Sequence, residues 1–153
     1  MDPAGVVTEL ACRFQAGDGA GALRLFHPDI RIEQPASLPH GGWHSGRDGV
    51  AAMGAIFSSL WERTIGQPRI LGCGETVVQV TTQTWTARAS GRSATVDVVE
   101  LFSFRDGLVW QIRVFQQDTH LLMNTLTGDA GMQSGTNSSA APPSSACPTT
   151  PQE

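Results

Sequence analysis

Apolar residues recur at spacings of three and four near the start of the chain. Over residues 3–16, Val6, Val7, Leu10, Ala11 and Phe14 mark one face of a helix, and Gly17-Asp18-Gly19 mark its stop. Residues 20–26 predict a short second helix ending near His27-Pro28, because proline has no N–H to continue a helix and biases its predecessor towards extended backbone. The period then changes from helical to alternating. Over residues 29–35, Ile30, Ile32 and Gln34 point one way and Arg31 and Glu33 the other, as in a half-buried strand. A loop over residues 36–46 leads into a third helix over residues 47–62. Its apolar side carries Val50, Met53, Gly54, Phe57, Leu60 and Trp61, and Ser45 is its candidate N-cap.

The remaining pattern is that of strands. A short one spans residues 69–73, a Val- and Thr-rich one spans 76–89 and turns at Ser90-Gly91-Arg92, and a third spans 93–105. Asp106-Gly107 predicts a tight hairpin into a last strand over residues 108–117. Three helices followed by an antiparallel meander define an α+β class, not a doubly wound sheet. One domain over residues 1–127 accounts for all of this. Residues 128–153 are built from Gly, Ser, Thr, Ala and Pro with few large apolar side chains, and predict a disordered tail.

Composition narrows the chemistry. The net charge of −4 is mild, and the ten basic residues, all Arg, are scattered rather than gathered into a stripe, which argues against nucleic acid. With no Lys, Schiff-base catalysis is excluded; with no Tyr, acid–base work falls to Asp, Glu, His or Cys. Cys12, Cys73 and Cys147 show neither disulfide-framework nor zinc spacing, and no signal segment or apolar run of membrane length is visible. A cytoplasmic protein without membrane contact is the simplest expectation. No phosphate-binding loop, dinucleotide fingerprint or nucleophile elbow is present, so no cofactor is expected.

The order of elements resembles the nuclear transport factor 2-like superfamily, in its SnoaL-like and ketosteroid isomerase-like branch. The resemblance covers roughly residues 4–127. It rests on Phe14-Gln15-Ala16-Gly17-Asp18 into Leu25-Phe26, on Ile32-Glu33-Gln34-Pro35, on Ser45-Gly46-Arg47-Asp48-Gly49, on the run from Val98 to Gly107, and on Phe115 through Asp118-Thr119 to Leu121-Leu122. It implies a cone-shaped α+β fold in which three N-terminal helices pack on a strongly curved, mostly antiparallel sheet around an apolar pocket. It also implies a homodimer. Relatives that isomerise ketosteroids use a carboxylate base, a protonated acid and a Tyr. Those positions match Gln34, Glu100 and Leu10 here, so only the acid is kept. The Arg-x-Asp pair of relatives that open limonene epoxide would need Arg near Thr95 ahead of Asp97, and their second Asp matches Val114. The small polyketide cyclases of the branch remain open.

Glu100 is the leading candidate for chemistry. Parity sets it among Val96, Val98, Phe102 and Phe104, where desolvation raises a carboxyl pKa and suits it to general acid work. The alternative is an ion pair with Arg113 or Arg88. Asp97 has opposite parity and is expected on the outer face. Asp118 and His44 are candidate proton-transfer partners, although capping a turn running into His120 is the favoured role for Asp118. Gln34 is expected to orient the substrate. The expected pocket wall comprises Ile32, His40, Trp43, Phe57, Trp61 and Val98, with Phe102, Trp110, Ile112, Val114 and Gln116. Trp85, if exposed, would mark a sheet-to-sheet dimer contact. The His40-x-x-x-His44 spacing lies in a loop without a carboxylate pattern, so no metal is expected. The sequence thus predicts a cofactor-free enzyme acting on a hydrophobic, oxygenated metabolite by cyclisation, isomerisation, dehydration or epoxide opening. A non-catalytic carrier of such a molecule is the alternative.

Overall fold

The computed structural model describes residues 1–127; the predicted tail, residues 128–153, lies outside the described residues. Helix α1 (Pro3–Gln15) forms where the spacing predicts it and buries Val6, Val7 and Leu10. Asp2 caps it, its Oδ1 accepting from the Gly5 N–H at 2.7 Å, with Pro3 in the first turn where a missing N–H costs nothing. Helix α2 (Gly19–Leu23) is capped by Asp18 and is shorter than its apolar pattern suggests. Strand β1 (Phe26–Gln34) begins where that helix was expected to end and runs straight through Pro28. The pairing of β1 with its neighbour shifts between Phe26 and Arg31, so the ladder asks no N–H of Pro28.

Two strands depart from the predicted pattern. Strand β2 (Gly42–Ser45) lies inside the predicted loop and pairs antiparallel with β1. Helix α3 (Gly46–Leu60) stops before Trp61, whose backbone is already extended, and β3 (Trp61–Ile65) follows without a linker. Glu62 and Arg63 suit a helix surface, which masks the strand, but Thr64 and Ile65 are β-branched and favour it. Ser45 occupies the N-cap position of α3 without making a side-chain cap; Arg47 Nε instead donates to the Phe26 carbonyl at 3.2 Å and ties the helix start to β1.

Strands β4 (Arg69–Cys73), β5 (Thr76–Ala87), β6 (Ser93–Arg105) and β7 (Leu108–Gln116) complete one sheet in the order β2-β1-β7-β6-β5-β3. β4 pairs with residues 76–80 of β5 and β3 with residues 83–87, so the two share one edge end to end. All pairings are antiparallel except β1 with β7. Asp106 and Gly107 both take positive φ, 54° and 74°, the geometry of the two-residue hairpin that their sequence predicts. The sheet curls around α3 and α1, giving the expected α+β cone. Among the described residues no helix is long and apolar enough to cross a membrane.

The core runs along the concave face, with Ile30, Phe102 and Val109 fully buried there. The short helix α4 (Thr119–Asn124), of which only the opening turn was expected, closes one end and buries Leu122. Just past it, Thr125 accepts from Trp61 Nε1 at 2.7 Å and donates its own hydroxyl to the Leu122 carbonyl at 2.6 Å. The near-isosteric Thr125→Val leaves the buried indole N–H without a partner, which costs about 1–3 kcal/mol. Urea denaturation should show a lower midpoint with an unchanged slope; an unchanged midpoint would remove this bond from the list of stabilising contacts.

Candidate functional site

Strand register decides which side chains meet inside the cone. Val98 pairs with Thr81 and Gln116, and Glu100 pairs with Gln79 and Val114, so these side chains share the concave face with Gln34 from the end of β1. Helix α3 covers them with Met53, Gly54 and Phe57. A Cβ on Gly54 would meet no atom within 4 Å, so a glycine in a helix interior here borders open space. The partly open cavity measures about 70 Å3 and is completed by His40, Arg63, Gln83 and Trp85.

The floor is polar. Trp85 Nε1 donates to Gln83 Oε1 at 3.0 Å, and Gln83 Nε2 donates to Thr81 Oγ1 at 2.9 Å, a satisfied chain along the inner face of β5. Gln79 Nε2 donates to Glu100 Oε2 at 3.1 Å. Gln34 makes only a weak contact, Nε2 to Met53 Sδ at 3.7 Å. Four buried side-chain polar atoms have no hydrogen-bond partner among the described residues: Gln34 Oε1, His40 Nδ1, Gln79 Oε1 and Gln116 Oε1. Each orphaned polar atom costs free energy unless a partner reaches it, and three of the four belong to cavity-lining residues.

His40 is buried although it comes from a loop. The loop is wound tightly: Leu38 N–H donates to the Pro35 carbonyl and Gly41 N–H to the Leu38 carbonyl. A Cβ on Gly41 would lie within 2.8 Å of three backbone oxygens, so only glycine fits that winding. The imidazole then packs among Phe57, Trp61 and Trp85, with centroids 5.4–6.1 Å away. Burial, reinforced by the charges of Arg63 and His44, holds its pKa down at about 4. It is therefore a neutral acceptor at physiological pH. Loss of hydration pushes the Glu100 carboxyl up, against the opposing pull of Arg63 and of the Gln79 amide. Asp97 lies on the outer face, where it accepts from Thr82 Oγ1 at 2.7 Å, in accord with its parity.

Several expected wall residues lie elsewhere. Trp110 is the extra residue of a β-bulge: Phe104 pairs with Val109 but Ser103 with Gln111, so parity reverses and the indole turns outward. There the guanidinium groups of Arg31 and Arg105 stack on it at 4.8 and 4.1 Å. Trp43 pairs with Glu33 on the outer face, 48% exposed, also under Arg31. Ile32, Phe102 and Ile112 have the expected parity but are consumed by the core, and Trp61 backs the His40 ring from β3, not from α3. His44 does not present its ring to the cavity; Nε2–H donates to the His40 carbonyl at 2.8 Å, which fixes the loop. Asp118 caps α4, its Oδ1 accepting from Leu121 N–H. Arg113 and Arg88, the suggested partners of Glu100, pair with Glu33 and Glu62 instead.

Conversely, Arg63, Gln83 and Trp85 escaped the sequence pattern. Trp85 is 1% exposed and lines the cavity, so it is no dimer contact. On β5 the usual sidedness is inverted: Thr81 and Gln83 point inward and hydrogen-bond, while the half-buried Val78 and Val80 point outward.

The two titrating groups bend stability in opposite senses. The His40 pKa is lower folded than unfolded, so the chain loses stability as pH falls from 6.5 towards 4. That gap corresponds to a loss of about 3 kcal/mol at most. Glu100 is raised, so its contribution is present below its ordinary value of 4.5 and is lost as pH rises through the folded value. In melting curves taken against pH, His40→Gln should flatten the acid limb and Glu100→Gln the opposite one. An acid limb unchanged in His40→Gln would contradict the assignment.

A family model described as the SnoaL-like domain matches residues 7–112. No curated protein matches the chain. Among solved structures, a nuclear transport factor 2-like protein of unknown function from Burkholderia pseudomallei is 27% identical, with TM-score 0.74, covering 84% of this chain and all of that one. TerC, crystallised with polyporic acid, is 24% identical, with TM-score 0.74, covering 82% and 98%. A Pseudomonas putida protein provisionally named a polyketide cyclase is 14% identical, with TM-score 0.71, covering 83% and 99%. The last two likenesses concern the fold alone. With the family model spanning most of the described residues, the chain belongs to the SnoaL-like domain family.

Proposed function

We propose that this protein is an acid–base enzyme, needing no cofactor, that acts on a hydrophobic, oxygenated small metabolite. The observation that carries the reading is a carboxyl group, Glu100, set by strand register inside a cavity of mixed polar and apolar lining that also presents an unpartnered imidazole nitrogen. Glu100 in its protonated form donates to a substrate carbonyl or epoxide oxygen. His40 Nδ1 accepts the proton lost from carbon or hydroxyl, and the side-chain amides of Gln34 and Gln116 orient the substrate. His40 thus replaces His44 and Asp118 as the complement of Glu100. Paired donation and removal of a proton serves isomerisation, cyclisation, dehydration and epoxide opening alike. The cavity is well below the ~300–1,000 Å3 of sites that enclose a drug-sized ligand, so the reactive end enters and the rest projects towards solvent. The co-crystal of TerC with polyporic acid supports reading such a cavity as a small-molecule site.

Glu100→Gln keeps the size and the Gln79 contact but removes the titrating proton. Incubated with enones, polyketones and epoxides and followed by mass spectrometry, the wild type should convert a member of the panel. The variant should lose about 100-fold or more in kcat. Equal turnover by both proteins would sink the role of Glu100. The neutral amides of Gln34, Gln79 and Gln116 favour a second reading, a carrier that binds without chemistry. Tight binding of a panel member that is recovered unchanged would establish it.

The convex face supports a homodimer. Val80, Val99 and Phe115 lie side by side across β5, β6 and β7, with Phe115 45% exposed. Light scattering should give a dimer for the wild type and a monomer for Phe115→Glu; a monomeric wild type refutes the arrangement.

A further inference from the structure

Arg63 is the charged wall residue that the chemistry above does not use. It is the arginine that lines the cavity. Arg13, Arg88 and Arg113 each hold a carboxylate, Arg31 holds the Gln111 amide, and Arg47 holds a backbone carbonyl. Among the described residues, Arg63 has no ion pair or hydrogen bond. Its guanidinium lies over the Phe57 ring, Cζ 4.8 Å from the centroid. Flat stacking of this kind leaves the N–H edge of the fork free to meet a planar acceptor. Strand pairing sets Arg63 directly beside Trp85 on β5, so the side chain springs from a rigid edge of the sheet and not from a loop.

Its place in the cavity is equally specific. Arg63 is the exposed member of the lining, whereas His40, Gln83, Trp85, Val98 and Val114 are buried, which sets it on the solvent side. Glu100 lies near enough to feel its charge but is not within ion-pair distance. Arg63 is the cation of the cavity lining, and among the described residues no carboxylate lies within ion-pair distance of it. A neutral ligand would leave that cation without a counter-charge in a partly desolvated setting. A ligand bearing one anionic oxygen pair would supply it.

We propose that Arg63 is a specificity-determining residue that selects ligands presenting a carboxylate or an acidic enolate at the cavity mouth, held by the guanidinium fork. Hydroxyl groups deeper in the same ligand would donate to Gln34 Oε1, Gln116 Oε1 and His40 Nδ1, which are otherwise unpaired. The inference rests on the acid–base reading for the state of the site, but its test does not depend on turnover.

Benzoate and benzamide have nearly the same shape and differ in charge, so calorimetric titration of the full chain with each isolates the anion. The wild type should bind benzoate about tenfold or more tightly than benzamide. Arg63→Met keeps an apolar stem against Phe57 and should bring benzoate down to the benzamide level, with benzamide within about twofold of wild type. Arg63→Lys, which keeps the charge without the fork, should fall between them. Glu100→Gln should retain the preference for benzoate, since it mimics the protonated acid. Equal binding of the two probes by the wild type, no benzoate binding at millimolar concentration, or undiminished benzoate binding by folded Arg63→Met would each overturn the proposal. If Arg63→Met does not fold, the wild-type comparison and Arg63→Lys still decide it. Loss of the preference in Arg63→Met with full turnover in Glu100→Gln would leave the anion site standing and remove only the acid–base mechanism.

Discussion

Four rings from four separate segments, His40, Phe57, Trp61 and Trp85, pack against one another with centroids 4.8–6.1 Å apart, and the site depends on that contact. The rings join the loop after β1 and the helix α3 to the paired strands β3 and β5. Edge-to-face and offset arrangements among the rings fix their mutual angles as well as their distances. The cluster therefore seals one end of the cone and aims an imidazole into the cavity. Trp61, the first residue of β3, reaches His40, Phe57 and Trp85 from there.

The same cluster explains the electrostatics of the cavity. Excluding water from His40 makes it neutral, and removing hydration from Glu100 favours its protonated form. Burial thus lowers the pKa of the imidazole and raises that of the carboxyl, with the charge of Arg63 acting on both. Arg63 lies on the solvent side of the cavity, and the amides and hydroxyl of β5 line its floor.

Much of the fold could be read from the chain because its signals were local. The helical spacing of Val6, Val7 and Leu10, the alternation of Ile30, Ile32 and Gln34, and the Asp106-Gly107 turn each depend on a few neighbouring residues. The parity that sets Glu100 inward is local too, and the structure has it so. What escaped depended on partners distant in sequence. Strand β2 exists because β1 offers an edge, and β3 because β5 does. The bulge at Trp110 is a property of a pair of strands, and it reversed one assignment while leaving Ile112 and Val114 in register. Thr81 and Gln83 are polar and yet point inward, because they and Trp85 satisfy one another. Asp118 offered two roles, and the short helix it caps decided between them.

The single parallel pairing in the sheet has a consequence for the order of events in folding. β1 meets β7 through Ile32 opposite Ile112, and the Val109 N–H reaches the Leu25 carbonyl. The meander from β5 to β7 can zip through short hairpin turns, but β1 gains this neighbour only when β7 is present. The β1–β7 contact therefore spans most of the domain in sequence, and contacts of such long separation carry a large loop-closure entropy and slow folding.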